Sequence, residues 1–278
     1  MVEHSMTKFK RFNVAALAPA LLLLAISTAN SSEPISLSVL RSADEVALKN
    51  AFAEFDRAYV PALALTNFQK PAASHKAYAK LLPAFEKLKV DTGGAFPGDS
   101  QWQADLESVS TYLQEAGERL DAGELKAAHE ALEKIRSTLM KARQRHNLEY
   151  YLDGMTRFHD TMESIVKPSV AALNKDEPLT DSRRAQLLKL IAQARQQWKD
   201  VDAQQLDLAR FRFDEQRGQQ LRAYIQKEYK ALDRAEVAAR GSDSKATLQA
   251  MVAVKAPFAQ AFMLFGDFPG GKAPALGK

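Results

Sequence analysis

Long stretches of strong helix formers, cut by short turn signals, constrain this chain more than anything else in it. Alanine, leucine, glutamine, lysine and glutamate dominate these stretches, and glycine is rare inside them. No window alternates apolar and polar residues long enough to suggest a sheet. The punctuation is clear: Thr92 to Asp99 with three glycines and a proline, Asp121-Ala122-Gly123, Asn174 to Asp181 around Pro178, and Gly241-Ser242-Asp243. These breaks predict helices over 42–68, 72–90, 99–121, 124–145, 147–174, 181–239 and 243–266. The sixth is too long to run unbroken and is expected to break near Val201–Gln205 or Gln216–Gly218. Ser42 with Glu45 reads as a capping box, and Asp99 and Thr180 or Asp181 read as further N-caps. The expected fold is all-α, an antiparallel helical bundle or two adjoining ones.

Two apolar stripes carry the core. Leu125, Leu132, Leu139 and His146 recur every seven residues, with Ala128, Ile135 and Ala142 beside them. Leu148, Leu152, Met155, His159, Met162 and Val166 alternate by three and four. Phe258, Phe262, Phe265 and Phe268 form an aromatic ridge that anchors the last helix, where Pro257 implies a kink or a late start. Trp102 and Trp198 read as packing residues. The basic set Lys134, Arg136, Lys141, Arg143 and Arg145 reads as a solvated face. A constant offset of 119 residues lays the segment from Ala116 over the one from Ala235: Leu132 falls on Met251, Ile135 on Val254, Arg136 on Lys255 and Leu139 on Phe258. The preceding helices match as well, Leu106 over Ile225 and Leu113 over Leu232, which suggests two related helical halves.

The first thirty residues give an address. Lys8, Lys10 and Arg11 precede an apolar run from Val14 to Ile26, and Ser27 and Ala29 stand before an expected cut ahead of Asn30. That is the pattern of a secretory signal peptide, and its run is shorter than the roughly 20 residues of a membrane-spanning helix. The expected organisation is therefore a signal peptide over 1–29, an N-terminal bundle over 30–174, a C-terminal bundle over 175–268 packed on it, and a disordered tail over 269–278. The expected location is the periplasm or the cell exterior, with no membrane anchor left after cleavage. Losing the signal lowers the formal net charge from +4 to about +2, which argues against nucleic acid as a partner. The chain has 0 cysteines, which excludes a lipobox anchor, c-type haem attachment, thiolate metal ligation and disulfides.

Chemistry is left to histidine, carboxylate and methionine. His129-Glu130-Ala131-Leu132-Glu133 and His159-Asp160-Thr161-Met162-Glu163 share the pattern His-acid-x-apolar-Glu. On a helix each His and its final Glu lie four apart on one face, and two such pairs on antiparallel neighbours can chelate one metal ion. The alternative is a solvated ion pair on each helix. His159 also sits between Met155 and Met162, a face of soft and borderline donors that suits copper, although methionine is equally a core filler. No serine-nucleophile elbow, phosphate-binding loop, His-Glu-x-x-His or dinucleotide fingerprint occurs, and no enzymatic activity is expected.

Between Leu113 and His146 the rhythm Ala116-x-x-x-Leu120-x-x-Gly123-x-x-x-x-Ala128-His129-x-x-Leu132-Glu133-x-x-Arg136 resembles, at fold level, the soluble periplasmic four-helix-bundle b-type cytochromes. The resemblance covers about 40 residues and implies a bundle architecture. That family holds haem with a Met in the first helix and a His in the last. Residues 30–139 contain no Met, and His146 is the nearest counterpart to the His. Three readings follow. The first is an exported binding or accessory protein acting on a protein partner. The second is a protein that binds copper, iron or zinc through His129, Glu133, His159 and Glu163, with Met155 and Met162 as alternative ligands. The third is a haem-binding bundle. A metal ion is the only cofactor the second reading requires.

Overall fold

The structure, a computed structural model, describes residues 33–271, 273 and 274; the expected signal peptide and the end of the tail lie outside them. The described residues form α1 (Glu33–Asn67), α2 (Pro71–Thr92), α3 (Ser100–Asp121), α4 (Leu125–Arg145), α5 (Tyr151–Asn174), α6 (Asp181–Ala203), α7 (Glu215–Arg240), α8 (Ser244–Ala253) and α9 (Lys255–Met263), with no strand among them. The fold is an all-α helical bundle. No described helix is long and apolar enough to cross a membrane. The contacts divide the chain into Met1–Val39, of which the described residues are the first turns of α1, and a compact unit over Leu40–Lys278.

Local chemistry sets most boundaries. Asp99, Thr180, Asp214 and Asp243 accept backbone N–H groups at the starts of α3, α6, α7 and α8. The long sixth segment breaks after Ala203, at the first of the two expected places. The last segment also breaks, at Val254. Pro257 has no N–H for the carbonyl of Ala253 four residues back, and α8 ends at that residue. Asn147, with φ 52°, takes the left-handed conformation that closes α4. One expected boundary moves: α1 begins at Glu33, so Ser42 lies inside the helix rather than capping it, and Pro34 occupies the first turn, where proline is tolerated.

From Ala51 to Thr66, α1 is buried around most of its circumference, with apolar residues on every side and only Glu54, Asp56 and Arg57 charged. Phe55 meets Phe85 of α2, Phe52 meets Trp102 of α3, and the Tyr59 hydroxyl donates to the Leu132 carbonyl of α4. Around it, α3 packs along α4, α5 along α6 and α8, and α7 along α6, α8 and α9, while α4 and α5 touch little. Pro61 interrupts the ladder inside α1 and cannot bond the Arg57 carbonyl. That carbonyl instead accepts the Asp267 N–H at 2.8 Å. Gly266 lies against the Pro61 ring so closely that a Cβ would stand 2.7 Å from Pro61 Cδ. The chain after α9 is thereby fastened to the kink in α1, and the tail turns on Gly271 N–H to Phe268 O at 2.9 Å.

The element boundaries recur at the same offset. Shifted by 119, α3 and α4 fall on α7 and on α8 with α9. Leu106, Val109, Leu113, Ala116, Leu132, Ile135 and Leu139 are buried, and so are Ile225, Glu228, Leu232, Ala235, Met251, Val254 and Phe258 at the shifted positions.

One reading of the basic residues is corrected. Arg136 and Arg143 are buried, at 6% and 4% exposure, not part of a solvated face. The Arg143 guanidinium lies over the rings of Phe52 and Tyr150, 4.4 and 4.6 Å from their centroids, and its Nε donates to Asp153 at 3.1 Å. The Tyr150 hydroxyl donates to Asp56. Burial drives the Asp56 carboxyl up to about 7 despite Arg143 and the Tyr150 hydrogen bond, with Asp153 adding to the rise.

Two predictions follow from this packing. An acid whose folded pKa exceeds its unfolded one stabilises fully below the unfolded value, and the contribution fades as pH rises through the folded one. Chemical denaturation from pH 4 to pH 8.5 should therefore show the wild type losing up to about 4 kcal/mol from Asp56. In Asp56→Asn this loss should disappear; an unchanged pH profile would refute the assignment. Gly266→Ala should lower stability by about 1–3 kcal/mol through overpacking against Pro61, read as a fall in Tm.

Candidate functional site

At its C-terminal end α1 meets α4, α5 and α9, and there the two His-acid-x-apolar-Glu segments come together. His129 and Glu133 lie four apart on α4, with Nε2 and Oε1 at 3.3 Å. His159 of α5 brings its Nε2 to 3.9 Å from the same Glu133 oxygen and 3.7 Å from Glu163 Oε1. All four residues singled out in the sequence thus share one cluster. Of the alternative sulfur donors, Met162 is fully buried and lines the adjoining cavity, while Met155 is fully buried and does not line it.

Two cations that the sequence reading did not place here complete the cluster. Arg136 donates through one terminal nitrogen towards both Glu133 and His159 Nδ1. Lys255, the first residue of α9, holds its Nζ 3.1 Å from Glu163 Oε1. Lys167 reaches Glu163 from the rim at 3.3 Å. Arg136 and Lys255 are the pair that the 119-residue offset superposes, so each half of the chain supplies one cation from equivalent positions. That offset, and a charged residue between the core positions Ile135 and Leu139, were the signals available in the sequence.

Burial and charge set the protonation states. Burial raises the Glu133 carboxyl, but Arg136 and the two imidazoles outweigh it and leave it below the ordinary range. Glu163 is lowered in the same way, burial being outweighed by Lys255 and His159. Burial lowers both histidines, against Glu133 for His129 and reinforced by Arg136 for His159. The carboxylates are therefore held ionised, while burial works against charge on the imidazoles and the neighbouring carboxylates work for it. His129 Nδ1 lies 3.0 Å from the Leu63 carbonyl, which can only accept, so Nδ1 carries a proton. His129 Nε2 faces the Glu133 carboxylate at 3.3 Å.

Two spaces adjoin the cluster. Beneath it is a cavity of about 50 Å³ walled by Leu63, Phe68, Met162, Phe258, Phe262 and Met263. Above it, a cleft of about 1170 Å³ opens between α4 and α5, lined by Lys126, Lys134, Lys141, Glu130, Asp160 and Lys167. Among the described residues no group of three or more His, Asp or Glu is spaced to enclose an ion as the side chains stand. Arg136 and Lys255 supply the positive charge within the cluster. His146 is elsewhere: its ring stacks on Phe96 with centroids 3.5 Å apart, and its Nε2 lies 2.7 Å from Asp99.

Comparison with family models, with curated proteins and with solved structures gives no match.

Removing one partner from this buried network leaves an uncompensated charge. Arg136→Met should cost about 3 kcal/mol in urea denaturation, and adding Glu133→Gln should recover most of it. Additive losses in the double variant would show that the two side chains do not act on each other.

Proposed function

We propose that the protein is exported to the periplasm or the cell exterior and there binds one transition-metal ion between α4 and α5, through His129, Glu133, His159 and Glu163. The observation that carries this reading is the meeting of His129 Nε2 and His159 Nε2 at one Glu133 carboxylate oxygen, 3.3 and 3.9 Å away. The four atoms follow one another at 3.3, 3.9 and 3.7 Å, and the side chains would have to draw together to enclose an ion bound at about 2.0–2.2 Å. The Leu63 carbonyl orients the His129 ring as a second-layer partner does in metal sites. Two imidazole nitrogens and two carboxylate oxygens suit copper(II), zinc or iron. Met162 and Met263 border the same cluster and would favour copper if sulfur takes part.

The other readings have less behind them. A protein-binding accessory role calls for an exposed apolar surface, but the exposed large apolar residues Val46, Leu82, Val90, Val170, Leu208 and Val237 are distributed over α1, α2, α5, the segment between α6 and α7, and α7. Haem ligation would draw on His146, which Phe96 and Asp99 already engage. The role is binding rather than catalysis, since no nucleophile or paired acid and base is set out in the sequence.

The test is calorimetric titration of the metal-free protein with copper(II), zinc and iron(II). One equivalent of at least one ion should bind, and His129→Ala or Glu163→Gln should weaken it by more than about tenfold. Failure of all three ions to bind, or variants that bind like the wild type, would overturn the reading.

A further inference from the structure

We propose that α9 opens away from the bundle when the buried Glu228 of α7 gives up its proton, uncovering the apolar cavity that α9 walls. This inference does not depend on the metal reading. Glu228 is 0% exposed, and neither of its carboxyl oxygens has a hydrogen-bond partner among the described residues. A polar group buried in that state costs stability and calls for a reason. Packing supplies none: 119 residues earlier Val109, equally buried, fills the corresponding core position with an apolar side chain. Burial pushes the Glu228 carboxyl well above the ordinary range, and the Phe258 backbone N–H of α9 and the Arg234 charge on α7 itself oppose this only in part. The charges on the helices packed against α7 are engaged elsewhere. Arg195 of α6 pairs with Asp233 and Glu236, Asp202 of α6 accepts from the Tyr229 hydroxyl, Lys255 of α9 pairs with Glu163, and Lys245 of α8 is exposed. The acid is therefore neutral in the closed bundle, and its ionised form needs water.

Water reaches Glu228 most cheaply by displacing α9. The carboxyl lies by the Phe258 N–H, the first after Pro257 in the opening turn of α9. That helix has 9 residues and no side-chain cap, and it starts at the break at Val254, whose own N–H makes only a long bond of 3.4 Å to Met251. A helix so short holds its shape only through tertiary packing, and α9 draws most of that from α7. Beyond its other end the chain is pinned, with the Asp267 N–H on the Arg57 carbonyl and Gly266 against Pro61. The segment able to move therefore lies over 255–265, between the break and the pin. It carries Phe258, Phe262 and Met263, which wall the cavity of about 50 Å³, while Leu63, Phe68 and Met162 form the side that stays in place. Ionised Glu228 gains solvent as α9 lifts from α7, and the cavity opens by the same movement.

Native-state hydrogen exchange from pH 6 to pH 9, corrected for the intrinsic pH dependence of amide exchange, tests this. Protection of the amides over 259–263 should be at least about tenfold lower than that of the core amides of α3 and α4, as a local opening requires. It should also fall by up to about tenfold per pH unit, the slope of an opening that releases one proton. In Glu228→Gln, which keeps the shape, that fall should vanish. Glu228→Leu, which restores an apolar core position, should give the same flat profile and serves if the first variant does not fold. Equal protection in α9 and in α3 and α4 would mean that the carboxyl ionises only on global unfolding, and overturns the proposal. So does protection over 259–263 that ignores pH in the wild type, or that falls as steeply in both variants.

Discussion

Arg143 and Asp153 face each other across the turn between α4 and α5, each about 5% exposed. Such a pair adds little net stability, because removing both charges from water offsets most of their attraction. Its consequence is register. Slipping α4 against α5 would strand one of these charges in the core without its partner, at a cost of about 3–5 kcal/mol. Ten residues back along α4 from Arg143 is Glu133, and ten residues forward along α5 from Asp153 is Glu163. The buried pair at the turn therefore sets which side chains meet about 15 Å away, at 1.5 Å of rise per residue. The candidate site exists because that register is fixed.

The same pair is tied to the centre of the bundle. Phe52 of α1 lies under the Arg143 guanidinium, and Asp56 of α1 accepts from Tyr150 at the start of α5. One helix buried nearly all round thus reads the position of α4 and α5 at its middle and closes the site at its C-terminal end, where Leu63 orients His129. Pro61 lies between these points and frees the one carbonyl to which the chain after α9 attaches. That attachment holds the segment following α9, the helix whose first residue is Lys255.

Much of this was legible in the sequence, and for physical reasons. Helix existence follows from propensity and from turn residues, and Asp99 and Thr180 cap as side chains of their type do at an extended residue before a helix. The 119-residue offset was visible because buried core positions recur at it. Each His–Glu pair follows from helical spacing alone, while their meeting needed the register that Arg143 and Asp153 impose. Arg136 and Arg143 were read as solvated because charge usually means surface. Their burial depends on partners supplied by other helices, which a one-helix periodicity cannot show. Ser42 has the chemistry of a cap, but the residues from Glu33 onward continue the helix through it. The break at Val254 was signalled by Pro257; its place is set by the carbonyl four residues earlier.

Arg136 and Lys255 give the site its character. Without them, the Glu133 and Glu163 carboxylates would face each other across α4 and α5 with little to compensate their charge. With them, the empty cluster is a closed set of charges that keeps α4, α5 and α9 together. The sequence motif supplies the donor atoms from one hairpin. The cations come one from α4 and one from α9, so the charge balance of the cluster is completed only where these helices pack together.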